Sequence, residues 1–234
     1  DPRFAVDAYS SRIQGLVFAS LVTQGPDGGF RPYLAKSWRW IDERTCVFDL
    51  ADGFGFSDGT PVEAEDVVAT YRAVLAPDSG SPRRAALTSV VEVETEGDAR
   101  VRFRLSAPDG AFLEGATLGV LAADQADDSD LPPGELRASG PYRVAAVARD
   151  GGVRLEKNPY FRHSPVPIAN VEIRVIPDVL TRVLELEKGS IDLVQSAIDP
   201  DTVDWLERRE RRLRVTRTPS ANFQYLGINL NHPS

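Results

Sequence analysis

Residues 56–68 read Phe56-Ser57-Asp58-Gly59-Thr60-Pro61-Val62-Glu63-Ala64-Glu65-Asp66-Val67-Val68. The first half is a tight turn set by Gly59 and Pro61; proline lacks the donor a strand would need. The second half opens a helix over 64–75. There Val67, Val68, Tyr71, Val74 and Leu75 fall on one apolar stripe. Glu63, Glu65 and Asp66 sit in or beside its first turn, where the helix dipole favours negative charge.

Upstream of this block, the alternation in 38–41 and 45–50 predicts two strands joined by the polar turn Asp42-Glu43-Arg44. Earlier still, Ile13, Leu16, Val17, Ser20 and Leu21 fall at helical spacing. Ser10 or Ser11 is the expected N-cap, and Gly25-Pro26-Asp27-Gly28-Gly29 the stop. Downstream, 89–95 and 100–105 form a hairpin, with Val91 and Val93 facing Val101, Phe103 and Leu105. Residues 111–121 read as helix and the acidic, Pro-bearing stretch 122–137 as a surface loop. A second hairpin pairs 142–148 with 153–157. The last third then alternates: strand 171–176, helix 179–188 stopped by Gly189, strand 191–195, helix 201–212, and strands 213–218 and 223–230. That alternation implies a layered α/β core.

Composition narrows the function. The chain has 234 residues, 42% of them apolar and 26% charged, an ordinary globular mixture. A net charge of −8 argues against a dominant nucleic-acid role, because phosphate contact needs a basic surface. The run Glu207-Arg208-Arg209-Glu210-Arg211-Arg212 interleaves acids with its arginines and reads as a solvated helix face. No apolar run approaches the ~20 residues that span a bilayer. The start at Asp1-Pro2, with no Met in the chain and no charged-then-apolar leader, is the expectation for a trimmed chain.

Chemistry-bearing patterns are weak. Cys46 has no partner cysteine and lies in a strand-like run, so it reads as a buried structural thiol. His163 and His232 lack ligand spacing, and neither a metal site nor a cofactor is expected. Glycine-rich nucleotide fingerprints do not occur. Asp58 and Asp66 have the separation of paired carboxylates, but a turn and a helix start explain them better. Ser139-Gly140-Pro141 lacks the strand-to-helix setting of a nucleophile elbow. The expectation is a protein that is not an enzyme.

The ordered set of motifs says more than any single one. Asp1-Pro2 precedes a helix ending Leu16-Val17-Phe18-Ala19-Ser20-Leu21-Val22, then come Pro32-Tyr33-Leu34-Ala35-Lys36-Ser37-Trp38 and the block at 56–68. Gly140-Pro141-Tyr142-Arg143-Val144, Glu156-Lys157-Asn158-Pro159-Tyr160-Phe161, Gly189-Ser190-Ile191-Asp192-Leu193 and Tyr225-Leu226-Gly227-Ile228-Asn229 follow. In order and spacing the chain resembles the extracellular solute-binding proteins, family 5, the peptide- and nickel-binding receptors of ABC importers. It departs from them in Ala138-Ser139 before Gly140-Pro141-Tyr142, in Glu63 where a capping threonine is frequent, and in stopping at Ser234, before the family's second lobe.

The resemblance implies an α/β, periplasmic-binding-protein-like type II lobe. Residues 1–21 and 138–234 would form its discontinuous core, with 22–137 as the family's inserted α+β subdomain. It implies a receptor that captures a small molecule or peptide by equilibrium binding and passes it to an ABC permease, in partnership with a second lobe. The setting would be periplasmic or extracellular, with or without a lipid tether. Carried over by position, the ligand-contacting residues are Val6, Asp7, Ala8 and Tyr9, with Asn222, Phe223 and Gln224 at the start of the crossing strand. Tyr9 and Phe223 would supply flat apolar walls, and Asp7 would meet a ligand amine or cap the following helix. The ligand-sensing domain of a transcription regulator is the principal alternative; a hydrolase and a self-sufficient half are weaker ones.

Overall fold

The structure is a computed structural model that describes residues 1–128, 131–195, 198–209 and 213–217. The chain divides into two compact units, Asp1–Val175 and Ile176–Ser234. Its elements make a mixed α/β protein.

In the first unit, helix α1 (Ala8–Val17) leads into a small ribbon of β1 (Val22–Gln24) and β2 (Phe30–Pro32). Next come β3 (Ala35–Asp42), β4 (Thr45–Leu50), α2 (Ala64–Leu75), β5 (Val90–Thr95) and β6 (Arg100–Leu105). These four strands form an antiparallel sheet in the order β3-β4-β6-β5. Strand β4 is central, and all its residues except Asp49 are buried. Phe48 and Phe103 meet edge-on with centroids 5.6 Å apart, and Tyr71 of α2 packs on Phe103 at 4.8 Å. Each such fully buried side chain contributes about 1.5–3 kcal/mol. The Tyr71 hydroxyl, which cannot be buried without a partner, donates to the Gly115 carbonyl at 3.0 Å. Solvated arginine–carboxylate pairs lace the sheet, Arg39 with Asp49 at 2.7 Å and Arg104 with Glu92 at 2.7 Å. Being exposed, they stabilise little and mainly keep the surface wet.

The unit continues through α3 (Phe112–Gly115) to a second antiparallel sheet, β7 (Tyr142–Val147), β8 (Val153–Lys157) and β9 (Asn170–Ile173). Its apolar cluster gathers Val17, Phe18, Leu121, Ala138, Tyr142 and Leu155. The chain crosses between the two cores at 138–140, where Gly140 N–H donates to the Val17 carbonyl and Ala19 N–H to Ser139 Oγ. Asn158 is fully buried, and its side-chain amide donates to the carbonyls of Gly55, Ala138 and Gly140 at 3.0, 3.2 and 3.0 Å.

In the second unit, α4 (Val179–Lys188) is capped by Asp178, whose Oδ1 accepts from Thr181 N–H at 2.7 Å. It ends on left-handed Gly189 at φ 74°, as the sequence predicts. Helix α5 (Pro200–Arg209) has Asp199 at its start, accepting from Thr202 N–H at 2.9 Å.

Several expected boundaries move, each for a physical reason. Helix α1 stops at Val17 and excludes Ser20 and Leu21, because Phe18 turns extended and the chain pairs with 138–140. The helix expected over 111–121 shrinks to α3; beyond it Val120 N–H donates to the Ala19 carbonyl and Gly119 bridges Ser20. Val91 is half exposed and does not face β6, because a bulge between Val90 and Glu92 shifts the register. Val90 and Val93 point inward in its place. Strand β9 ends at Ile173 because that residue pairs with Val153, the first residue of β8. Residues 191–195 form no strand: Leu193 is 78% exposed, and no described strand lies alongside to supply a ladder. Residues 213–217 are likewise not strand, while residue 218, the expected strand 223–230 and the helix end at 210–212 lie outside the described residues.

Candidate functional site

The segment before α1 carries the residues that the resemblance singles out. Arg3 is 4% exposed and closes on the Asp1 carboxylate at 2.6 Å, while Pro2 and Ala5 are buried beside it. From this anchored stretch the chain emerges as Val6, 70% exposed, and Tyr9, 62% exposed. Two large apolar side chains in solvent, next to a buried and ion-paired anchor, are available to a partner molecule.

Asp7 is the N-cap of α1, displacing the expected Ser10 or Ser11. Its Oδ1 accepts from the backbone N–H of Tyr9 and of Ser10, both at 2.9 Å. The Ser10 hydroxyl and these amides hold its carboxyl below the usual range, so it stays ionised at the positive end of the helix. Ala8 is exposed at the first helical position, and the Arg12 guanidinium lies 5.7 Å from the Tyr9 ring centre. The structure therefore keeps Val6, Asp7, Ala8 and Tyr9 together on one exposed edge. Asn222, Phe223 and Gln224 lie outside the described residues.

A largely apolar groove of about 340 Å³ adjoins this segment, lined by Phe4, Ile13, Val17, Leu136, Val144 and Val153 among others. None of Val6, Asp7, Ala8 or Tyr9 lines it.

The block at 56–68 is a scaffold. Asp58 Oδ1 accepts from the Thr60 hydroxyl at 2.7 Å and from Thr60 N–H at 3.0 Å, and Asp58 Oδ2 accepts from Arg137 at 3.0 Å. Arg137 also pairs with Asp124, and its guanidinium lies 5.9 Å from the Phe56 ring centre. Burial works against the Asp58 carboxylate, but Thr60 and Arg137 hold its pKa below normal. Asp66 behaves oppositely. Burial raises its pKa, although its oxygens accept from Glu63 N–H and Ala123 N–H, both at 2.8 Å. Both carboxylates are occupied by hydrogen bonds that hold the turn and the helix start together. The Cys46 thiol is fully buried, which pushes its pKa up to about 12 and leaves it a poor nucleophile.

Among the described residues no cluster of three or more His, Cys, Asp or Glu side chains is placed to hold a metal ion. Among them, too, no helix is long and apolar enough to cross a membrane. The residues that sequence reasoning missed are Arg3, Arg137 and Asn158. Only Asn158 had a local signal, in Asn158-Pro159-Tyr160.

With that geometry in place, residues 29–234 match the model of the bacterial extracellular solute-binding proteins, family 5 (Middle). A probable D,D-dipeptide-binding periplasmic protein of Escherichia coli is 28% identical over 206 residues, covering 84% of this chain and 39% of that protein. The nickel-binding periplasmic protein of the same organism is 29% identical over 193 residues, covering 77% of this chain and 36% of its own length. Among solved structures, the substrate-binding protein CtaP of Listeria monocytogenes superposes with a TM-score of 0.78 at 29% identity, covering 89% of this chain and 44% of that one. A Campylobacter jejuni protein bound to a nickel–histidine complex superposes with a TM-score of 0.79 at 24% identity, covering 90% and 43%. The chain spans less than half the length of these relatives.

Proposed function

The chain belongs to the bacterial extracellular solute-binding proteins, family 5, and from that premise we propose that it forms the first lobe of a receptor that captures a small solute, a peptide foremost, for delivery to an ABC permease. The observation that carries this reading is the family match across residues 29–234. Relatives named for dipeptides and for nickel bracket the class of cargo.

Under this reading the lobe is of the periplasmic-binding-protein type II class, with 1–21 and 138–234 as its core and 22–137 as the inserted subdomain. The apolar cluster that joins Val17 and Phe18 to Ala138, Tyr142 and Leu155 supports the pairing of 1–21 with the sheet of β7–β9. Val6, Asp7, Ala8 and Tyr9 form part of the ligand wall, completed by Asn222, Phe223, Gln224 and a second lobe. The exposure of Val6 and Tyr9 supports the assignment, since the apolar walls of a half-cleft stay in water until ligand and partner lobe arrive. Binding and hinge closure are the whole event; no bond in the solute is made or broken. The family's extracellular character supports a periplasmic or extracellular setting, with or without a lipid tether.

Calorimetric titration with a panel of two- to five-residue peptides and a nickel–histidine complex tests the reading. A two-lobed cleft encloses most of a small ligand, so losing one wall removes roughly half the contacts. Residues 1–234 alone should then bind at least ~100-fold more weakly than the intact protein, a difference of about 2.7 kcal/mol. Equal affinity of the two would refute the half-cleft reading.

A further inference from the structure

We propose that Arg3 is a positioning residue, which fixes the backbone of Val6–Tyr9 in the conformation that presents these side chains to ligand; this rests on the receptor reading above. Arg3 lies three residues before Val6, and its side chain points inward, 5% exposed. The guanidinium holds three groups at once: the Asp1 carboxylate, through Nε at 3.1 Å and Nη2 at 2.6 Å; the Ala126 carbonyl, through Nη1; and the Asp128 carbonyl, through Nη2 at 2.5 Å.

The Arg3 main chain is fixed as well. Its carbonyl accepts from Ser81 Oγ at 2.6 Å, and its N–H donates to Asp1 Oδ1 at 2.9 Å. The Asp1 carbonyl in turn accepts from Gln14 Nε2 of α1 at 2.6 Å. Three separate stretches (the turn at 79–81, the loop at 122–128 and helix α1) thus converge on residues 1–3.

The segment 4–7 spans the gap between this anchor and the Asp7 cap. With both ends tied, Val6 and Tyr9 stay exposed without collapsing onto the apolar groove beside them. Exposed apolar side chains on a free loop would fold inward, and ligand would have to pull them back out. Guanidinium is the group that suits this post. Its planar fork reaches a carboxylate and two carbonyls together, which a lysine ammonium cannot do from one position.

Hydrogen exchange on the intact protein, read by mass spectrometry, tests the assignment with R3K and R3M. Both variants should speed exchange of the amides in 4–10 by at least ~10-fold, the signature of local opening, while the amides of β4 and β6 stay within ~2-fold of the parent. R3K keeps the charge and so separates the fork from mere ion pairing; exchange in R3K equal to the parent would overturn the proposal. A uniform rise across β4 and β6 would also overturn it, since that reports global stability and not positioning. Trialanine affinity, measured in parallel on the parent, reads the receptor hypothesis alone. Failure of the parent to bind trialanine would count against the receptor reading, while the exchange result still decides whether Arg3 orders residues 4–10.

Discussion

Replacing Asn158 with alanine removes the amide that ties three stretches of chain together. Its two N–H bonds serve the carbonyls of Gly55, Ala138 and Gly140, and its oxygen accepts from Tyr160 N–H at 3.0 Å. Two hydrogens shared among three acceptors amount to about two full bonds. The site is closed to bulk solvent: Asn158 and Ala138 are fully buried. A buried acceptor left without a donor costs roughly 1–3 kcal/mol, and alanine orphans at least two. N158A should therefore lose about 3–5 kcal/mol. N158D should lose at least as much despite its matching shape, because a carboxylate donates nothing and faces three carbonyl oxygens. Urea unfolding followed by tryptophan fluorescence measures both. A loss for N158A below ~1 kcal/mol would show that water or neighbouring groups replace the amide, and that the bond network holds nothing together.

Three other perturbations probe separate links. V93T should cost about 1–2 kcal/mol, whereas V91T should stay within ~0.5 kcal/mol, because Val93 is buried and Val91 is half exposed; equal costs by urea unfolding would deny the bulge between Val90 and Glu92. G59A should destabilise by about 1–2 kcal/mol, since Gly59 has φ 96° and an added methyl would sit 3.1 Å from the Tyr160 ring. Chemical denaturation that finds G59A neutral would remove the turn's constraint. Asp66 gives a pH signature. Its folded pKa is raised above the ordinary 3.8 by burial, so its contribution to stability is fully present below 3.8 and is lost as pH rises through the folded value. The stability of the parent relative to D66N should accordingly fall with rising pH across that window; a rise would mean that the two backbone N–H bonds outweigh burial.

Much of the local architecture was legible because it rests on neighbouring residues. Helix α2 runs from Ala64 to Leu75 as its stripe and acidic first turn predict, and both hairpins form where expected, with a bulge shifting the register of each. What escaped depends on partners distant in sequence. Leu21 fits a helical period, yet its neighbours Ala19 and Ser20 pair with 119–120 and 139. A bulge in β5 cannot be read without β6 beside it. Ile191–Leu193 has strand-like residues but no described strand alongside. Val6–Tyr9 were chosen by position in the motif order alone, and of the two roles considered for Asp7 the structure shows the helix cap. The anchoring by Arg3 was not readable, because Ala126 and Asp128 are more than a hundred residues away.

Reversible capture is tested most directly by native mass spectrometry of the intact, gently purified protein. The receptor reading calls for a small molecule bound one to one, released on mild unfolding with its mass unchanged after prolonged incubation. A bound species that emerges chemically altered, with fresh solute consumed over time, would contradict it.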